Sequence, residues 1–154
     1  EDIESNGRVV AYKVHPSGRL EKIGEQDAGG MSTCYITIDH DQKNLILVNY
    51  WDSTLCVLPL DQHNGDLAGP IKYVYDPKEG NNMKSSTRVK GGGCNHSNND
   101  ESTIKERQLD PHSHALILDP FIGCIAYVPD LGKDLIREFY FDQKTGRIEC
   151  LGIL

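Results

Sequence analysis

The sequence has 154 residues, 38% of them hydrophobic, and its 16 Lys and Arg against 23 Asp and Glu give a formal charge of −7. A chain of this size and balance is typical of one folded domain. No stretch approaches the roughly 20 apolar residues of a membrane span. The acidic balance, with scattered Lys and Arg, also excludes a nucleic-acid surface, which needs clustered positive charge. We therefore expect neither a nucleic-acid nor a membrane partner.

The predicted elements are strands. Short runs rich in β-branched and aromatic residues alternate with turn sequences such as His15-Pro16-Ser17-Gly18. In chain order, the predicted strands are Val9–Val14, a return strand around Leu20 and Ile23, Tyr35–Ile38, Leu45–Tyr50, Leu55–Leu60, Ala115–Leu118, Cys124–Val128 and Leu135–Phe141. Because no window of ten or more residues carries a helical apolar period, the pattern predicts an all-β chain.

The chain also repeats itself. With an offset of 80 residues, Asp39 aligns with Asp119. Three apolar positions align at the same offset: Ile38 with Leu118, Val48 with Val128, and Leu55 with Leu135. Turn glycines close the units at Gly18, Gly65 and Gly146, and the 47 residues between the first two match the roughly 40–50 residues of a propeller blade. The 81 residues between the last two predict an insertion in the second unit.

That insertion is found at residues 76–106, where apolar side chains are few, so we expect this segment to be disordered. Residues 1–154 are then one partial β-propeller domain that covers about two to three blades. Propellers typically use four to eight blades, and an open arc exposes strand edges. We therefore expect the chain to be a segment of a larger propeller, or to pair its open blade edges with another chain.

Three motifs resemble those of one family, in the same order along the chain. The segment KERQLDPHSHALILDP contains Arg107, His112 and His114 and resembles an E-R-Q, P-H-x-H block. Val48-Asn49-Tyr50 looks like an A-N-Y blade strand, and residues 128–134 (VPDLGKD) are similar to a V-P-D-L-G-x-D stretch. The family is that of the seven-bladed β-propeller lactonases. The chain departs from it by Leu109-Asp110, which replaces a small or glycine-containing pair, and by lacking more than half of the propeller.

The resemblance implies a cytoplasmic hydrolase that acts on a sugar-derived lactone such as 6-phosphogluconolactone, with Arg107, His112 and His114 as its catalytic residues. A carboxymuconate-type lactonizing enzyme, a cyclo-isomerase, is an alternative within the same family. A non-catalytic propeller segment that binds a partner or serves as a scaffold is a third reading, because a fold alone does not determine an activity. The enzyme readings call for a small-molecule lactone as partner.

The residues themselves support a site at the two histidines. His112 and His114 are two positions apart, so on a strand they point to the same face. Two imidazoles there can share acid–base work or bind a metal, whereas the alternative is a pair of strand-end histidines satisfied by backbone carbonyls. A metal needs at least a third ligand at suitable spacing, and none follows, so we assign no metal and no cofactor. Arg107 can hold a carboxylate or phosphate through its guanidinium, or be a solvated loop charge.

Three further residues near these motifs, Asp130, Asp134 and Trp51, could have either a structural or a functional role. Asp130 and Asp134 flank a turn glycine, where Asp commonly caps backbone amides, so we expect structural roles for both. Trp51 is the only Trp. It could stack on a sugar, but packing in the core is the reading that we favour.

The five cysteines are odd in number and include no C-x-x-C, which favours a reduced, cytosolic setting. Three of them lie inside apolar, strand-like runs of sequence, where a Cys behaves as a small hydrophobic residue. These three are Cys34, Cys56 and Cys124.

Overall fold

The computed structural model describes residues 6–77, 80–82 and 110–154. Within these ranges the secondary structure consists of strands, which confirms the predicted all-β class. The strands are β1 (Asn6–Val14), β2 (Leu20–Met31), β3 (Thr33–Ile38), β4 (Asn44–Asn49), β5 (Leu55–Pro59), β6 (Tyr73–Asp76), β7 (Gly80–Asn82), β8 (Ile117–Leu118), β9 (Ile125–Asp130), β10 (Leu135–Asp142) and β11 (Arg147–Ile153). The described part of the chain contains no helix that could span a membrane.

The strands form three antiparallel sheets in which neighbours along the chain are also neighbours in the sheet. A two-stranded sheet holds β1 and β2, a five-stranded sheet has the order β3-β4-β5-β6-β7, and a four-stranded sheet has the order β11-β10-β9-β8. The four- and five-stranded sheets are antiparallel meanders, the blade unit of a propeller, and the two-stranded sheet is one antiparallel pair. Within the described residues the sheets do not close into a ring. The fold is a partial β-propeller with two blades and part of a third, as the repeat predicts.

The middle sheet packs on another sheet at each face, and its strand β4 is buried along its whole length, although alternate residues of its edge strand β3 are exposed. Ile46 faces one way and joins a core that includes Phe139 of the four-stranded sheet. Leu47 faces the other way and packs in a second core with Val9 of the two-stranded sheet. Because side chains alternate between the two faces of a strand, a strand covered on both sides needs apolar residues at every position. This explains the continuous run Leu-Ile-Leu-Val in β4.

The four-stranded sheet, in contrast, is covered on one face only. Along β10, Arg137 and Phe139 are buried, whereas Ile136 and Tyr140 are exposed. The alternation of apolar and exposed positions is that of a sheet with one face on the core. The open face still carries large apolar side chains, namely Ile117, Tyr127, Ile136 and Tyr140.

The two aspartates that define the repeat, Asp39 and Asp119, both accept backbone hydrogen bonds in equivalent turns. Oδ1 of Asp39 accepts hydrogen bonds from the backbone N–H groups of Lys43 (2.7 Å) and Asn44 (2.9 Å) in the turn between β3 and β4. Asp119, in the turn between β8 and β9, accepts from four backbone N–H groups, those of Phe121, Ile122, Cys124 and Ile125. The 80-residue alignment of the sequence is therefore a structural repeat.

Several strands differ from the sequence prediction. β6 and β11 are not predicted, and β8 is shorter than the predicted strand at Ala115–Leu118. β2 extends to Met31 through Gly29 and Gly30, although glycine is depleted in strands. A Cβ at Gly30 would overlap the side chains of Thr54 and Asn49. The glycine thus allows a close approach between β2 and the end of β4, which the composition of the strand alone does not reveal.

The predicted insertion at residues 76–106 lies largely outside the described residues. Its described part includes β7, which pairs with β6 through Val74↔Asn82.

The cysteines depart from the sequence prediction in two respects. Cys150 is disulfide-bonded, so the expectation of a fully reduced chain is wrong at this position. Of the three cysteines expected to be small core residues, Cys56 is buried, while Cys34 is exposed and Cys124 is partly buried.

Candidate active site

The segment that carries the two histidines is fixed by turns from both blades. The backbone N–H of His112 donates to Oδ1 of Asp130 (2.7 Å), which ends β9. The backbone N–H of the next residue, Ser113, donates to Oγ of Ser53 (2.6 Å) in the β4–β5 turn. His114 in turn donates its backbone N–H to the carbonyl of Pro129 (3.3 Å). The histidines therefore lie where the β4–β5 turn, the β9–β10 turn and the approach to β8 meet, at one end of the two sheets.

Both imidazoles contact the same tyrosine. The ring of His112 stacks on that of Tyr50 with a centroid distance of 4.9 Å and an interplanar angle of 11°. His114 meets the same ring edge to face at 5.5 Å. His112 is partly buried and His114 is exposed. The two histidines, predicted to share the face of a strand, lie outside the strands of the structure, and both contact the ring of Tyr50.

The orientation of His112 identifies its free nitrogen. Its Nδ1 lies 3.4 Å from the backbone carbonyl oxygen of Tyr50. A carbonyl oxygen can only accept, so in this contact Nδ1 carries the hydrogen, and the neutral ring keeps its lone pair on Nε2. The stacked ring of Tyr50 restricts rotation of the imidazole. With Nδ1 as the donor in this contact, Nε2 is the ring nitrogen that can accept a proton from a ligand or water.

Asp130 supports this segment rather than taking part in chemistry. Its Oδ1 accepts from His112 and also from the backbone N–H groups of Gly132 (3.1 Å) and Lys133 (3.2 Å). Its Oδ2 accepts from Nη2 of Arg137 at 2.8 Å, and both side chains are almost completely buried. With all these donors on one carboxylate, the structural role expected from the sequence is confirmed for Asp130.

Gly132 packs directly against the histidine segment. A Cβ at this position would overlap the backbone carbonyl of Asp110 and would lie 3.1 Å from Cδ2 of His112. The glycine in the VPDLGKD motif is therefore required by close packing beside the imidazole, not by an unusual backbone angle.

Backbone strain is concentrated at this end of the sheets. Four non-glycine residues among those described have a positive φ, and three of them lie in turns next to the site: Ser32 (58°), Ser53 (55°) and Asp134 (50°). A left-handed backbone is costly for such residues, and strain of this kind clusters at functional sites. Asp52 braces the turn around Ser53 because its carboxylate accepts from the backbone N–H groups of Met31 (2.8 Å) and Thr54 (3.1 Å).

Trp51 corrects one sequence prediction. It is 45% exposed, so the expected packing in the core is wrong. Its indole is edge to face with both Tyr50 (5.1 Å) and His112 (5.3 Å).

In the sequence, Val48-Asn49-Tyr50 resembles a family motif, but this resemblance assigns no role to Tyr50. Its position, directly after a buried strand and directly before the only Trp of the sequence, could have indicated that Tyr50 belongs to the site.

The third predicted site residue, Arg107, lies outside the described residues. Among those that are described, no three His, Cys, Asp or Glu side chains are grouped so that they could hold a metal ion.

The sequence profile of the family described as "Lactonase, 7-bladed beta-propeller" matches residues 1–152. The chain belongs to the seven-bladed β-propeller lactonase family. The strand meanders, the repeat and the histidine segment described above are thus features of a member of this family.

Comparison with individual relatives shows how much of a lactonase propeller the chain represents. It is 24% identical over 140 residues to the 6-phosphogluconolactonase of Bacillus subtilis, which corresponds to 90% of this chain and 33% of that protein. Among solved structures, the periplasmic gluconolactonase PpgL of Pseudomonas aeruginosa superposes with a TM-score of 0.67 at 23% identity, over 95% of this chain and 35% of that one. A Bacteroides fragilis protein assigned as a 6-phosphogluconolactonase gives a TM-score of 0.62 at 25% identity, over 93% and 34%. The chain therefore spans about a third of the length of these relatives.

Proposed function

We propose that the chain contributes the catalytic base of a lactone hydrolase, with His112 in that role. The observation that carries the proposal is the contact between Nδ1 of His112 and the carbonyl of Tyr50, which leaves Nε2 as the basic nitrogen. A general base must have its lone pair free and its ring held in one orientation. The stack on Tyr50 and the hydrogen bond from the backbone of His112 to Asp130 supply the second condition.

In this mechanism Nε2 of His112 takes a proton from water while the water oxygen bonds to the carbonyl carbon of the lactone. The carbonyl electrons move to its oxygen and form a tetrahedral oxyanion. When this intermediate collapses, the bond from the carbonyl carbon to the ring oxygen breaks, and His112 returns its proton to that oxygen. The product is the open hydroxy acid, and the base is regenerated.

We assign the other two predicted site residues to the substrate rather than to proton transfer. His114 is exposed and contacts the same Tyr50 ring as His112, which suits a hydrogen bond to a substrate hydroxyl. Arg107, five positions before His112, would hold a phosphate or carboxylate or neutralise the oxyanion, because a guanidinium keeps its charge at every working pH.

For the substrate we propose a sugar-derived lactone such as 6-phosphogluconolactone. The proposal is supported by family membership and by the similarity to a 6-phosphogluconolactonase and a gluconolactonase. The carboxymuconate-type lactonizing activity and the non-catalytic scaffold remain the competing readings, and the experiment below separates them.

The test uses a completed propeller, in which this chain replaces the matching third of the Bacillus subtilis relative. Changing His112→Gln should lower the turnover of 6-phosphogluconolactone by about a hundredfold or more, the usual contribution of a general base. Changing His114→Gln should raise KM more than it lowers turnover. His63→Gln, at an exposed loop histidine, is the matched control and should keep the original rate.

The competing readings predict different results in the same experiment. Unaltered turnover in both His112→Gln and His114→Gln, with the fold intact by circular dichroism, would refute the catalytic assignment and favour the scaffold. Formation of a lactone from a carboxymuconate, without hydrolysis of sugar lactones, would favour the lactonizing enzyme.

We also propose a cytoplasmic location. The free thiols of Cys34 and Cys124 support it, since unpaired cysteines are typical of reducing compartments. The disulfide at Cys150 and the periplasmic lactonase among the structural neighbours count against it.

A further inference from the structure

We infer that Trp51 determines substrate specificity at this site: its partly exposed indole packs against the ring of a six-membered sugar lactone while His112 acts at the carbonyl carbon. The inference rests on the proposed function and adds to it a residue that selects cyclic sugars. It is carried by the position of Trp51 beside the histidines and by its exposure.

The three rings of Tyr50, Trp51 and His112 form a compact cluster. The centroid distances are 4.9 Å between Tyr50 and His112, 5.1 Å between Tyr50 and Trp51, and 5.3 Å between Trp51 and His112. The first pair is nearly parallel, and Trp51 is nearly perpendicular to both, at 78° and 87°. Because its two distances are almost equal, the indole lies beside the stack rather than on top of it. A ligand that touches Trp51 is therefore within reach of His112.

The backbone that carries Trp51 is fixed before any ligand arrives. The N–H of Tyr50 donates to the carbonyl of Ser32 (3.0 Å), and the N–H of Trp51 donates to that of Met31 (3.4 Å). Two residues further along, Oγ of Ser53 accepts from the histidine segment at 2.6 Å. A binding residue held in place in this way loses little conformational freedom when the ligand binds, which favours affinity.

The chemistry of the indole fits a sugar ring. The face of an aromatic ring carries negative charge and its edge positive charge, and the C–H bonds on one side of a pyranose ring direct their slightly positive hydrogens toward such a face. The hydroxyl groups at the rim of the sugar ring remain free for polar partners. Because Trp51 is 45% exposed, its apolar surface is accessible to a substrate beside the proposed catalytic base. A Trp buried in the core could not contact a substrate.

The experiment measures binding to the full 154-residue chain and so does not depend on turnover. The probe is glucono-δ-lactam, a six-membered cyclic analogue that is not hydrolysed. Trp51 is the only Trp of the chain, so its fluorescence reports directly on contact at this position. We expect the lactam to change the emission, and open-chain gluconate to leave it unchanged.

Calorimetry then compares variants. Trp51→Leu, which keeps an apolar side chain but loses the ring, should raise the Kd for the lactam about three- to tenfold, and Trp51→Phe should stay within about twofold of the original value. Phe121→Leu is the matched control, because this exposed aromatic residue lies in the β8–β9 turn at the other end of its sheet. It should leave the Kd unchanged.

The outcomes separate this inference from the proposed function. An unchanged Kd in Trp51→Leu, or no lactam binding by the unaltered chain, overturns the role of Trp51. If that occurs while His112→Gln still abolishes hydrolysis in the completed propeller, the proposed function stands without it. If Trp51→Leu does weaken binding but both histidine variants keep full turnover, the sugar site stands and the hydrolytic assignment fails.

Discussion

At the scale of single residues, the turn aspartates show how the sequence defines a local structure. Asp39 and Asp119 each follow the first strand of a sheet, and each accepts hydrogen bonds from the backbone N–H groups of the next turn. A carboxylate that accepts several N–H bonds is stabilised in its charged form. The hydrogen bond from Ile122, followed by those from Ile125 and Phe121, accordingly lowers the pKa of Asp119 to about 2.

This pKa leads to a prediction about acid stability. Because the folded-state pKa of Asp119 lies below the usual value near 3.9 of an unfolded Asp, the charged carboxylate stabilises the fold above about pH 4 and loses this effect as the pH falls toward 2. Asp119→Asn should therefore lower the free energy of unfolding most at pH 7, and the difference from the unaltered chain should shrink toward pH 2. Urea unfolding at several pH values measures it. A difference that stays constant over this range would contradict the prediction.

The residues of the site were only partly predictable. The spacing of His112 and His114 led us to expect a shared face on a strand, whereas both lie outside the strands and are brought together at the ring of Tyr50. Trp51 was misjudged because hydrophobicity alone favours burial, whereas it lies in the β4–β5 turn two residues before the strained Ser53 and is 45% exposed. Contacts between residues about 60 positions apart, such as Ser53 with Ser113, leave no pattern in a single sequence.

At the scale of strands and sheets, burial decides which elements a sequence reveals. β4 is covered on both faces and β10 on one, so the first is a continuous apolar run and the second alternates, and both were predicted. β11 contains Arg147, Glu149 and Gly152 within seven residues, and its pattern is too polar to indicate a strand. It forms because β10 offers a full antiparallel edge, from Arg137↔Ile153 to Asp142↔Arg147.

The link between β9 and β10 gives a second stability prediction. Arg137 and Asp130 form an ion pair of 2.8 Å with side chains only 5% and 0% exposed. Breaking a buried pair leaves one charge uncompensated, so Arg137→Leu should lower the free energy of unfolding by about 3 kcal/mol. Arg147→Leu is the matched control, because its pair with Glu149 is 52% and 42% exposed and such pairs contribute about 0–1 kcal/mol. Denaturant unfolding of both variants provides the comparison, and equal losses would contradict the assignment of the buried pair.

At the scale of the whole molecule, the chain is an arc with two unlike ends. The two-stranded sheet at one end contains fewer strands than the four- and five-stranded sheets that follow. The four-stranded sheet at the other end leaves Ile136 and Tyr140 open to solvent. In a closed propeller each sheet is covered on both faces, as the middle sheet is here. The chain spans only about a third of the length of its relatives. The faces that neighbouring blades would cover are therefore open here.

This geometry leads to the last prediction, which concerns activity. The histidine site lies at one end of the sheets, and its described walls come from the β4–β5 turn, the β9–β10 turn and the segment before β8. A lactone bound there would remain open to water on the side where a complete propeller places further blades, and a water-exposed site weakens the electrostatic stabilisation of an oxyanion. We therefore expect the 154-residue chain alone to hydrolyse 6-phosphogluconolactone at no more than about one hundredth of the rate of the completed propeller.

Parallel rate measurements on both proteins, with size-exclusion chromatography of the chain alone, test this prediction. A monomeric chain as fast as the completed propeller would contradict it, whereas an active chain that elutes as an assembly would show that its open blade edges pair with further copies.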